Sequence, residues 1–309
     1  MDVHHHPTVS SDDAARRRHR RLQGEWRASV LGLPPGDGGR PPRPVDSMLP
    51  AHHDGTTPER EGWNLMSDAA RAYTRARVAA VRAAHGTIGD DRLWRNLLSS
   101  QPLAFSIAGE LRARPADAVD VLGDLGGLTP VGFGALGDAD DVYRLDGLQA
   151  EWAPAPAEAL GDRSAADLAA ALVLADGRSC LITVEVKYTE PFSPGPIAGD
   201  PRYAGALTAL GLTDDDAVAL APSGGTQFLR SVLLTDAVRR RHGIDEVLAV
   251  VLGRSDDATA RDVVARVGQA VPDVPTAYWS HEDFLTVCGA RPALTEWADR
   301  MHRRYVGTL

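Results

Sequence analysis

Apolar and polar residues alternate most regularly over Leu181-Ile182-Thr183-Val184-Glu185-Val186-Lys187-Tyr188, a β-branched run that predicts a strand. Asp176-Gly177 just upstream is a turn signal, so an earlier strand through Asp167 and Leu168 would fold back on it as a hairpin. Side chains two apart share a strand face. Glu185 and Lys187 therefore point one way, and Val184, Val186 and Tyr188 the other. Loop length decides what faces them. A loop of Ala175-Asp176-Gly177, with Gly177 left-handed and closing a bulge, sets Asp167 directly opposite Glu185. A tighter Asp-Gly turn would carry Asp167 to the other face.

Helical spacing recurs over residues 63–85, through Met66, Ala69, Ala70, Tyr73, Val78 and Val81, and Gly86 is placed to stop it. Asp90-Asp91 is expected to cap a second helix through Leu93, Trp94, Leu97 and Leu98, and Pro102 to open or kink a third with Phe105, Ile107 and Leu111. Residues 116–125 read as a short helix, 126–137 as a glycine-rich loop, and 142–152 as a strand broken by Pro154 and Pro156. The glycines have no phosphate-loop lysine after them, which argues against a nucleotide cradle. Pro191 to Pro196 ends regular structure; Thr213-Asp214-Asp215-Asp216 fits a helix start; Gly225-Thr226 opens a helix with Phe228, Leu229, Val232, Leu233 and Val238 on one face. The continuous apolar run 247–252 predicts a strand covered on both sides. A helix over 258–270, an extended piece at 276–279 and a helix over 293–304 follow, and His281-Glu282-Asp283 reads as a helix start rather than a metal site. The pattern predicts an α/β fold, a central mixed sheet flanked by helices.

The N-terminal part lacks this periodicity. Residues 1–20 are expected to form a flexible polar tail, 21–62 a Pro/Gly-rich extended segment, and 63–309 the folded domain. His4-His5-His6 reads as solvated tail, and the arginines between Arg16 and Arg21 as an exposed helix end or a nucleic-acid arm.

The net charge of −9 is unusual for a nucleic-acid enzyme, although arginines cluster locally at 16–21, 239–241 and 303–304. Cys180 and Cys288 support neither a disulfide framework nor a zinc site. With no signal-peptide core, and no apolar run near the ~18 residues of a membrane span, a cytoplasmic protein is expected. One compositional fact bears on chemistry: of 33 Lys+Arg residues, Lys187 is the only lysine. A chain that otherwise uses arginine keeps its one compact ammonium two residues after a strand glutamate.

Asp167 followed by Glu185-Val186-Lys187 on the next strand resembles the signature of the PD-(D/E)XK, restriction-endonuclease-like, nuclease superfamily. Asn96-Leu97-Leu98-Ser99-Ser100-Gln101, Glu151 before Trp152, and Val186-Lys187-Tyr188-Thr189-Glu190 together resemble a bacterial restriction-endonuclease-like branch, over roughly residue 21 to the C-terminus. Ala166 stands where that family has proline. The resemblance implies a restriction-endonuclease-like fold and a nuclease, with Asp167, Glu185 and Lys187 catalytic.

The residues themselves allow the same chemistry. Two carboxylates about 4 Å apart repel unless they share a hard cation, and an oxygen site that keeps water suits Mg²⁺ or Mn²⁺. Asp167 and Glu185 would be ligands with the Val186 carbonyl a third, while Lys187 orients or deprotonates the attacking water. Glu151 is a candidate second-metal ligand or holder of a ligand water, Glu110 a candidate extra acid, and Gln101 a group bonding into the site. Gln227 and Arg230 are candidate contacts to phosphate or base. The expected activity is phosphodiester hydrolysis of nucleic acid, DNA foremost, with restriction or defence implied by the resemblance alone; a homodimer is compatible with it. The rivals are a catalytically inactive member of the fold that binds nucleic acid or a protein, and a hydrolase using Ser223, which lacks a nucleophile elbow.

Overall fold

The computed structural model describes residues 9, 12–38 and 43–307. The triple histidine lies outside the described residues. Ten helices matter below: α1 (Ala14–Ser29), α2 (Asp68–Ala83), α3 (Ser100–Arg112), α4 (Pro115–Gly126), α5 (Pro201–Ala209), α6 (Asp214–Leu220), α7 (Gly225–His242), α8 (Ala258–Ala270), α9 (His281–Gly289) and α10 (Thr295–Tyr305). Six strands form the sheet: β1 (Pro130–Phe133), β2 (Leu148–Trp152), β3 (Ala166–Leu174), β4 (Ser179–Val186), β5 (Glu246–Gly253) and β6 (Thr276–Ser280). Their order is β6-β5-β4-β3-β1, with β2 also on β3. β4, β5 and β6 are mutually parallel, whereas β3 runs antiparallel to β4, β2 and β1. This is the expected mixed sheet flanked by helices, consistent with a restriction-endonuclease-like fold.

Strand periodicity separates two cores. Ile182, Val184, Val186 and Tyr188 pack with Phe105, Ile107, Leu111, Phe284 and Trp297 on one face. Leu181, Val247, Ala249 and Val251 pack with Phe228, Leu229, Val232 and Val263 on the other. The β5 run is apolar throughout because both its faces are covered.

Several expectations are corrected. The tail expected to residue 20 is helical from Ala14, capped by the Asp13 side chain, and α1 continues to Ser29, into the start of the segment expected to be extended. Its buried stripe is His19, Arg20, Gln23, Trp26 and Arg27, so a count of apolar positions misses it. Its histidine, arginine and glutamine side chains are hydrogen-bonded: Arg20 pairs with Asp12 at 2.7 Å, and Gln23 donates to the Tyr188 hydroxyl and the Arg304 carbonyl, each at 2.8 Å. The helix expected after Asp90 is one π-helical turn ending at Arg95, beyond which Asn96 bridges Met48. The glycine-rich segment contributes β1, an edge strand starting on a proline. The strand expected over 142–152 is split at a left-handed Gly147: Leu145–Asp146 pairs with Ala135–Leu136, and β2 begins at Leu148.

Candidate active site at the sheet edge

The hairpin turn sets the register. Gly177, with φ 86°, donates to the Leu174 carbonyl at 2.9 Å, and Leu174 N–H bonds the Arg178 carbonyl at 2.8 Å, closing the longer of the two loops considered. Pairing then runs from Val173–Ser179 to Leu168–Val184, and one step further Asp167 stands across from Glu185. On the opposite flank, Ala150–Leu168 and Trp152–Ala166 bracket Glu151 against the same Asp167. Three carboxylates thus form a row across β2, β3 and β4, at the edge where β4, β5 and β6 end.

Glu185 and Lys187 are both buried, and Lys187 Nζ lies 2.9 Å from Glu185 Oε1. Gln227 of α7 bridges them. Its amide donates to Glu185 Oε1 at 2.6 Å, and its oxygen accepts from Lys187 Nζ at 3.0 Å and Ser193 N–H at 2.6 Å. Asp167 is half-buried and accepts Val186 N–H at 2.7 Å on Oδ2. Arg230 lines a cavity of about 100 Å³ with Glu185, Gln227 and Ser231, and its guanidinium lies over Tyr203 at 5.7 Å.

Glu151 is held differently. Its backbone is left-handed, φ 47°, which a residue with a β-carbon seldom adopts. Leu148 and Ala150 lie in the first core but Trp152 in the second. A regular strand would keep all three on one face, so the turn at Glu151 swings the strand end across. Arg77 of α2 fixes it, donating to the Ala150 carbonyl at 2.7 Å and the Glu151 carbonyl at 3.0 Å, while Tyr73 accepts Ala150 N–H at 2.8 Å. Gln101, at the start of α3, donates to Glu151 Oε1 at 2.6 Å. Gln101 is buried and holds this acid. Glu190 receives Ser100 N–H at 3.0 Å, tying the end of the lysine segment to the start of α3.

Of the sequence candidates, Asp167, Glu185, Lys187, Gln227 and Arg230 come together, and Gln101 and Glu151 adjoin them. Glu110 does not join them: it lies at the far end of α3, paired with Arg114 at 2.5 Å. Arg77 and Tyr73 were missed, because they act on backbone groups of another element and leave no spacing signal.

Burial pushes the Asp167 carboxyl well above the carboxylate range, and the neighbouring Glu185 and Glu151 add to it. Burial also raises Glu151, against the Gln101 hydrogen bond. Burial opposes the Lys187 ammonium, but Glu185 and Asp167 outweigh it and its pKa is raised. Crowded acids of this kind are what a divalent cation relieves. Among the described residues no three His, Cys, Asp or Glu side chains form a ready cage. The donors that fit are Asp167, Glu185 and the Val186 carbonyl beyond the last β3–β4 pair, with water completing the set as Mg²⁺ prefers.

No helix of the described residues is long and apolar enough to cross a membrane. No curated protein and no solved structure matches the chain. A family model described as PD-(D/E)XK nuclease superfamily matches residues 10–307. With nearly its whole length matched and its acids and lysine at one sheet edge, the chain belongs to the PD-(D/E)XK nuclease superfamily.

Proposed function

We propose that the protein is a Mg²⁺- or Mn²⁺-dependent nuclease that hydrolyses phosphodiester bonds, with DNA as substrate and restriction or defence as its setting. Asp167, Glu185 and the Val186 carbonyl hold the ion, and Glu151 holds a water of its shell or a second ion. The ion, when bound, lowers the pKa of a coordinated water and offsets charge on a phosphate oxygen. Lys187 orients the attacking water. Burial opposes its charge while Glu185 and Asp167 hold its pKa up, so neutralising those carboxylates favours the uncharged amine, the form that can take up a proton. Gln227 keeps Glu185 and Lys187 in one geometry, and Arg230 contacts the phosphate backbone.

The observation that carries this reading is the meeting of Asp167, Glu185 and the chain's only lysine in one buried corner. Incubation of linear, circular and single-stranded DNA, and of RNA, with wild type and Lys187→Ala in Mg²⁺ and in EDTA tests it. Cleavage by wild type in Mg²⁺ alone is expected. Folded protein that cuts none of the four favours the inactive, binding-only alternative.

A further inference from the structure

A cavity of about 250 Å³ adjoins the carboxylate row, with Glu151 in one wall and Ala165 shared with the cavity against Glu185. Two of the four non-glycine residues with left-handed backbone among the described residues, His85 and Glu151, line it. His85 follows Ala84, the residue that caps α2: its N–H reaches the Arg82 carbonyl at 3.0 Å and the Gly86 N–H reaches the Val81 carbonyl at 2.8 Å. That pairing puts the left-handed position on residue 85, where glycine is the usual occupant, and a β-carbon there costs about 1–2 kcal/mol. The chain places histidine there and glycine one residue later, where φ is not left-handed. The strain has no packing return, since His85 is exposed on the wall of the cavity.

The other walls have a consistent chemistry. Tyr143, Pro154 and Pro156 supply flat apolar surface. The Arg163 guanidinium makes a hydrogen bond to the His85 carbonyl at 3.3 Å and has no carboxylate partner among the described residues. The volume falls below the ~300–1,000 Å³ of drug-sized sites, in the size class of a single base.

We propose that this cavity receives one unstacked nucleobase of the substrate strand, next to the phosphate held at Asp167 and Glu185; this rests on the nuclease reading. Tyr143 and His85 present rings to the base, and Arg163 meets the adjacent phosphate. Taking a base out of its stack is how proteins read one beside a reacting centre, and aromatic contact accepts any base face.

The test is fluorescence-anisotropy titration of a short single-stranded oligodeoxynucleotide and its fully abasic counterpart, in Ca²⁺ so that binding is read without cleavage. Wild type is expected to prefer the base-bearing strand by roughly tenfold, the scale of one stacked base. His85→Gly and Tyr143→Ala should narrow that ratio while leaving abasic affinity unchanged. His85→Gly should at the same time hold or raise the melting temperature, because glycine relieves the left-handed strain; loss of preference cannot then be assigned to unfolding. An unchanged ratio in both variants, or no preference in wild type, overturns the pocket. Wild type that binds neither strand removes the nucleic-acid reading and the pocket's ligand together. Base preference without cleavage in Mg²⁺ removes the nuclease reading and leaves the pocket standing.

Discussion

Gln227 shows how much one side chain settles. Its amide can satisfy a carboxylate on one side and an ammonium on the other in a single orientation only, and the Ser193 N–H locks that orientation. Gln227→Ala would leave Glu185 and Lys187 buried with one partner fewer each. The expected result is a ~10–100-fold loss of Mn²⁺ affinity or turnover, as for other groups that orient metal ligands, with Gln227→Glu failing to rescue because it adds a fourth acid. Metal titration and single-turnover cleavage of both variants read this. Arg77 acts on Glu151 through backbone: Arg77→Ala frees the Ala150 and Glu151 carbonyls and lets a strained residue relax. It should lower metal affinity while circular dichroism stays native.

At the scale of elements, the hairpin carries the site. The register was legible in the sequence because only one loop length puts Asp167 beside Glu185, and the structure has that loop, with Gly177 left-handed. Gly177→Val places a β-branched residue at φ 86° and should cost about 1–2 kcal/mol or more. Because a shorter turn would flip Asp167, activity should fall further than stability alone explains; chemical denaturation and cleavage assays on the same preparation separate the two. The strands β4 and β5 and the helices α7 and α8 were equally readable, since their apolar spacing is uninterrupted. Helix α1 was not. Its inward face is His19, Arg20, Gln23 and Arg27, and a polar residue that is buried because it is hydrogen-bonded looks in sequence like one that is solvated. The left-handed Glu151 was likewise invisible, since only packing against Arg77, Tyr73 and Gln101 makes that backbone tolerable.

Across the whole molecule, the acid row sets how stability depends on pH. Asp167 and Glu151 have raised folded-state pKa values, so below the ordinary carboxylate range of about 4 the folded state pays nothing for them. As pH rises through their raised values, the unfolded chain has already released protons that the folded chain still holds, and metal-free stability falls. Melting curves in EDTA should therefore decline toward neutral pH, and Asp167→Asn should flatten that decline. Mn²⁺ should restore stability most at neutral pH, by about 2.7 kcal/mol at a hundredfold excess over its Kd. The termini contribute independently: fully buried Arg304 of α10 bonds Gln23 of α1 and the Asn64 carbonyl. Arg304→Ala orphans both oxygens, at about 1–3 kcal/mol each.

Calorimetric titration of Mn²⁺ into wild type, Asp167→Asn and Glu185→Gln addresses the central claim most directly. Saturable binding by wild type that both substitutions abolish, in variants that melt cooperatively, is the expected result. Equal Mn²⁺ binding in all three, or none in folded wild type, would contradict a metal centre built on these two acids.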